Sequence, residues 1–179
     1  MRSALIPAIL LWLSAPALAQ VAPSEAVAGR VAEASEAWFD LLPSADFEAE
    51  RGYFTPSLAN TMPPARWAEF RRATIARSGG ATPRYRGHGL TFYPGDTLRA
   101  AVDFWGEAVP GDIYICGYVV WAVPDASQIG LTRMEENIVE VTLFRAMDQD
   151  DALQTLTNWR CPDGLVRAIL GLSQPEETG

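Results

Sequence analysis

The run from Ile113 to Val123, "IYICGYVVWAV", is apolar at both parities. Ile113, Ile115, Val119, Trp121 and Val123 fall on one side of an extended chain. Tyr114, Cys116, Tyr118, Val120 and Ala122 fall on the other. Successive side chains of a strand point to opposite faces, so this run reads as a central strand of a sheet covered on both sides. Two strand-like runs precede it, "RYRGHGLTFY" and "TLRAAVDFW", and "YPGD" and "VPGD" separate the three. Pro presets φ and Gly supplies positive φ at the centre of such turns, which predicts hairpin-linked antiparallel strands. In the second run Leu98, Ala100, Val102 and Phe104 alternate with Thr97, Arg99, Ala101 and Asp103, the pattern of a strand with one wet face. A fourth strand region is predicted from about Ile129 to Met147. "MEEN" would be a bulge or break within it, and Val139, Val141, Leu143 and Met147 give its second half an alternation.

Ahead of the strands the period is helical. Val27, Val31, Ala34, Trp38 and Leu41 form one stripe of a helix over Ser24 to Leu42, with Ser24 as its cap and Pro43 as its stop. A short helix is predicted from about Ala45 to Tyr53, anchored by Phe47 and Phe54. A third begins at Pro63-Pro64, carries Trp67, Phe70 and Thr74 on one face, and ends at Gly79-Gly80. Behind the strands, Asp148 or Asp150 can cap a helix through Leu153 and Leu156 to Trp159. Cys161-Pro162 starts a last one through Leu165, Val166, Ile169 and Leu170, closed by Gly171. Helices and strands in separate blocks define an α+β domain: three N-terminal helices on a curved antiparallel meander of about four strands, with a helical C-terminal tail.

The segments "EAWFDLLPSADFEAERGYFTP" and "PPARWAEFRRATIARSGG", with the later Pro-Gly hairpins, resemble the small secreted domains of the nuclear-transport-factor-two-like, cone-shaped α+β class. The likeness covers about residues 26–104. It implies a curved sheet around an internal cavity, in a class that holds isomerases, dehydratases and many non-catalytic binding modules. The tail after Met147 and the cysteine pair depart from the usual pattern, in which a strand closes the sheet.

The chain opens "MRSALIPAILLWLSAPALAQ". Arg2, the apolar stretch Ala4 to Leu13 and the small-x-small Ala17-Leu18-Ala19 form the pattern of a signal peptide, residues 1–19, cleaved after Ala19. The stretch falls short of the roughly 18 residues of a membrane span, and Gln20 rather than a lipidated Cys follows. Residues 20–172 then read as one α+β domain, and 173–179, "SQPEETG", as a disordered tail. A formal charge of −8 argues against nucleic acid and anionic lipid as general partners. All 14 basic residues are Arg, which fits the codon bias of a GC-rich bacterial genome. The two cysteines of an exported chain, Cys116 and Cys161, are expected to pair. Two buried free thiols or a reactive cysteine are the rival readings.

No GxSxG, Walker-type, HExxH or EF-hand pattern occurs, so no cofactor or metal is expected. His88, the only histidine, sits between two glycines and reads either as a strand-surface residue or as a general base. Glu136 and Glu140 share a strand parity. Buried, such a carboxylate could act as a base beside Tyr114, Tyr118 or Trp121; exposed, it would discourage strand pairing. Arg66, Arg71, Arg72, Arg77, Arg84 and Arg86 stand against one Glu in their segment and mark a candidate patch for an anionic partner. The expected function is an exported, non-enzymatic binding or interaction module for a small apolar ligand or an envelope protein, in a periplasm or outside the cell. The alternatives are a cone-fold isomerase or hydratase using a buried carboxylate in an apolar pocket, and an envelope accessory recruiting a protein through its Arg-rich helix.

Overall fold

The computed structural model describes residues 23–80, 82–125 and 128–173. The predicted signal peptide, and the predicted tail apart from Ser173, lie outside the described residues. Helix α1 spans Glu25–Leu41, and the Ser24 side chain accepts a hydrogen bond from Val27 N–H at 3.4 Å. It buries Val31, Ser35, Trp38 and Phe39 and ends in a single 3-10 turn, Leu42–Ser44, that carries Pro43. Helix α2, Phe47–Arg51, is capped by Asp46, whose carboxylate accepts from Ala49 N–H at 3.0 Å. A short helix that the periodicity did not predict follows, α3 at Pro56–Thr61. Its signal is chemical rather than periodic: Thr55 caps Leu58 N–H and Pro56 occupies the first turn. Helix α4, Pro64–Arg77, buries Trp67 and Thr74 as predicted, and Arg71 between them.

The sheet contains β1 (Arg86–Tyr93), β2 (Leu98–Val109), β3 (Ile113–Asp125) and β4 (Gln128–Glu140), antiparallel throughout and in that spatial order. β3 is therefore interior, as its double apolar pattern requires. Gly111 in the second Pro-Gly turn has φ of +75°, whereas Gly95 in the first stays outside the left-handed region. Gly117 at the centre of β3 has a different role. A Cβ there would collide with the Glu135 carbonyl oxygen, so only glycine permits the ladder to close at that point.

Two expectations for β4 are corrected. "MEEN" is neither bulge nor break: Met134, Glu135, Glu136 and Asn137 pair in order with Val119, Tyr118, Gly117 and Cys116. The irregularities fall at Thr132, between the pairs Leu131–Trp121 and Arg133–Val120, and near the turn, between the pairs Ala122–Gly130 and Asp125–Gln128. The strand then ends at Glu140, and Val141–Ala146 is helix α5. The alternation through Val139, Val141 and Leu143 was misleading. Val141 and Phe144, three apart, are the inward pair, and Leu143 is 57 % exposed.

The two sheet faces are covered unequally. On the first, α1 to α4 close over Phe104, Ile115, Val119, Trp121 and Leu131, with Trp38, Phe39, Leu42 and Trp67 filling the layer. On the second, α5, α6 (Gln149–Asn158) and α7 (Asp163–Leu170) pack Phe144, Leu156, Leu165, Val166 and Ile169 against Cys116 and Val139. Cys116 and Cys161 are disulfide-bonded, with Cα atoms 5.1 Å apart. No helix among the described residues is long and apolar enough to cross a membrane. Tyr118 and Val120, on the same face as Cys116, are only half-buried. The second face of β3 is thus covered at one end rather than along its length.

Candidate functional site

Two clusters of chemistry-bearing side chains lie back to back across the sheet. The first is buried under the N-terminal helices. Arg71, on α4, is fully buried, and its Nη1 donates to both oxygens of Glu136 on β4 at 2.9 and 2.8 Å. Its Nε lies 3.2 Å from Oε2 of Glu50 on α2 but off the line of its N–H, so that contact is electrostatic rather than a hydrogen bond. Trp67 Nε1 donates to Glu50 Oε2 at 2.9 Å, Trp38 Nε1 donates to the Glu50 carbonyl at 3.0 Å, and the Tyr85 hydroxyl donates to Glu136. Burial works against the charge on Arg71, but Glu136 and Glu50 outweigh it and raise its pKa. Burial, aided by Glu136, holds Tyr85 well above the usual phenol range, so it stays a donor.

Two carboxyls share one guanidinium here, and the interior cannot balance both negative charges. Desolvation pushes Glu50 up to about 7 against the opposing pull of Arg71 and Trp67, with Glu136 and Asp46 adding to the rise. A carboxyl whose pKa is higher folded than unfolded keeps its proton in the folded state, so its contribution to stability is full at low pH. That contribution is lost as pH rises from about 4.5 to about 7. On this account Glu50→Gln, which fixes the neutral form, should remove that part of the pH dependence, on the order of 3 kcal/mol. Urea unfolding at about pH 5 and about pH 8 measures it: the variant should gain on the wild type as pH rises. A constant difference between the two would refute the assignment.

The second cluster lies on the open part of the other face. Asp103, Tyr118 and Glu135 are in register across β2, β3 and β4, forming one row. The Tyr118 hydroxyl donates to Glu135 at 2.8 Å, and Arg133 Nη2 donates to the same carboxylate at 2.9 Å while its guanidinium lies 5.4 Å from the Tyr118 ring centroid. Arg160, just after α6, brings Nη1 to 3.9 Å from Asp103. His88 Nε2 is 2.9 Å from the Arg160 carbonyl oxygen. Around this row runs a cleft of about 300 Å³ lined by Tyr93, Ala101, Asp103, Tyr118, Val120, Glu135, Asn158 and Arg160. Burial raises the Asp103 pKa, with Arg160 and His88 opposing. For Glu135 burial also acts upward, but hydrogen bonds from Tyr118 and Arg133 outweigh it and lower the pKa. Tyr118 is raised by burial and by its bond to Glu135.

The residues singled out from the sequence do not converge on one pocket. Trp121 is fully buried in the first core, edge-on to Tyr53. Glu136 is buried with Arg71, while Glu140 is exposed at the end of β4. Tyr114 lines a surface groove with Trp105 and Leu165. His88 also borders a groove of about 340 Å³ between α1 and β1, with Ser35, Phe39 and Leu90. Tyr118 alone enters the cleft. The Arg set divides too: Arg71 is internal, and Arg66, Arg72, Arg77, Arg84 and Arg86 are exposed. Arg72 lies over Phe47, Arg86 over Trp105, and Arg84 faces Asp40 at 3.9 Å.

Sequence reasoning missed Asp103, Glu135, Asn158 and Arg160. One signal was available: the residue before Cys161 must lie near Cys116 once the disulfide forms, and so near Tyr118, two residues along the same face. Among the described residues no group of three or more His, Cys, Asp and Glu is placed to hold a metal ion. No family model, curated protein or solved structure matches the chain.

Proposed function

We propose that the chain is an exported binding module whose ligand contacts lie in the cleft around Asp103, Tyr118 and Glu135. One contrast carries the reading. The carboxylate–tyrosine pair that an isomerase or hydratase would need in its interior, Glu136 with Tyr85, is engaged by Arg71, and Trp38, Trp121 and Phe104 fill the surrounding layer. The carboxylate–tyrosine row on the other face borders open space. The disulfide fits an oxidising compartment, and together with the signal-peptide pattern it supports export to a periplasm or beyond the cell.

The test is a titration of the ¹⁵N-labelled mature protein with the small-molecule fraction of an envelope extract from the source organism. Amide shifts clustered at Ala101, Tyr118 and Asn158, with the extract's mass spectrum unchanged, are the expected result. Conversion of an extract component would establish the enzymatic alternative instead. Shifts confined to the α1–β1 groove would move the site.

A further inference from the structure

The cleft has a chemical character that narrows its ligand. We infer that it binds a neutral saccharide, a proposal that rests on reading the cleft as the binding site. Its lining carries three charged side chains, Asp103, Glu135 and Arg160, and each carboxylate already faces a guanidinium: Asp103 faces Arg160 at 3.9 Å, and Glu135 faces Arg133, which stands beside the cleft, at 2.9 Å. A charged ligand would have to displace an internal partner. Hydroxyl groups need only the lone pairs and N–H groups those pairs leave unused, and planar carboxylate, guanidinium and carboxamide groups suit adjacent hydroxyls. Asn158 supplies the carboxamide.

The floor and wall complete the match. Ala101 and Val120 are small and leave a shallow bed, and Tyr118 and Tyr93, the latter 44 % exposed, border it. An aromatic face carries partial negative charge and receives the polarised C–H groups of a sugar ring.

Arg160 is also held in a costly conformation. Its φ is +63°, a region that side-chain-bearing residues seldom occupy. The His88 contact to its carbonyl, its own N–H to Thr157 O at 3.0 Å, and the disulfide at the next residue fix it there. Glycine would relieve the backbone, so the arginine side chain, and not the turn, accounts for the residue present.

The experiment is calorimetric and NMR titration of the full mature protein with tetra-N-acetylchitotetraose, cellotetraose, maltotetraose and mannotetraose, alongside free amino acids and polygalacturonate. Saturable binding of at least one neutral oligosaccharide, with shifts at Ala101, Tyr118 and Asn158, is expected. Tyr118→Ala and Arg160→Gly should each weaken it by about tenfold or more, with the native circular dichroism retained, the melting temperature lowered for Y118A by the lost strand contacts and unchanged or raised for R160G. Arg84→Ala, outside the cleft, should leave it intact. If R160G binds as tightly as the wild type, the role given to the side chain is wrong. If amino acids or the polyanion occupy the cleft and the oligosaccharides do not, the saccharide proposal fails. If the whole panel is inert while the envelope extract still shifts the cleft, it fails too, and the binding-module reading survives. Silence from both panel and extract removes both.

Discussion

Arg71→Met should cost the fold about 3–5 kcal/mol, the effect of removing one partner from a buried ionic group. The side chain is fully buried and is the sole cation in contact with both Glu50 and Glu136 among the described residues. Methionine fills a similar volume, so the loss reports charge rather than a cavity. Glu50, already pushed up to about 7 by burial, would lose the guanidinium that opposes that rise and would be harder still to keep ionised inside. The deficit should therefore be smaller at about pH 5 than at about pH 8, and adding Glu136→Gln should recover much of it. Chemical denaturation of the single and double variants gives the numbers. An R71M protein within about 1 kcal/mol of wild type would mean that the guanidinium is not balancing these groups. For the same reason a charge reversal at Arg71 would report on folding, whereas Arg72, which is exposed, is the residue to use in any test of partner recruitment by α4.

The second large effect is expected at the disulfide. Replacing Cys116 and Cys161 together by alanine opens a loop of sequence separation 45. On the chain-entropy account this costs about 4 kcal/mol. The damage should be local. Cys116 and Cys161 belong to the smaller core formed with α5, α6 and α7, while the core under α1 to α4 is built from the other sheet face. Hydrogen exchange should show α6 and α7 losing protection first and α1 keeping most of its own. Uniform loss across both layers would show that the halves do not separate in this way. The cleft should loosen with the tail, since Arg160 adjoins Cys161 and closes one side of it.

What could be read in the residue order follows from short-range rules. Turn chemistry around the Pro-Gly pairs, the two-residue period of β2, the helical stripe of α1 and the caps at Ser24 and at Asp148 or Asp150 each act within a few positions, and they placed the helices and strands other than α3 and α5. Errors arose where two periods fit the same letters. Val139, Val141 and Leu143 suit a strand, yet Val141 and Phe144 suit a helix, and the apolar surface of Cys116 and α7 decided between them. Arg71 shows the same limit from another side. In the sequence it is one of six arginines in a basic stretch, and only the convergence of α2, α4 and β4 sets it between two carboxyls from positions 50 and 136.

The candidate site depended on tertiary structure most of all. The apolar character of β3 at both parities established that the strand is interior, because neither parity offers a polar face to water. How far the tail would reach along its second face could not be read from that pattern, since burial is set by the area the three short helices can cover and not by the strand's own residues. They cover the Cys116 end and stop, which leaves Tyr118 in line with Asp103 and Glu135 at the boundary. The sequence determined which side chains share that face through the parity of each strand. Strand register and the extent of helical cover, both long-range, decided which of them meet and which face solvent.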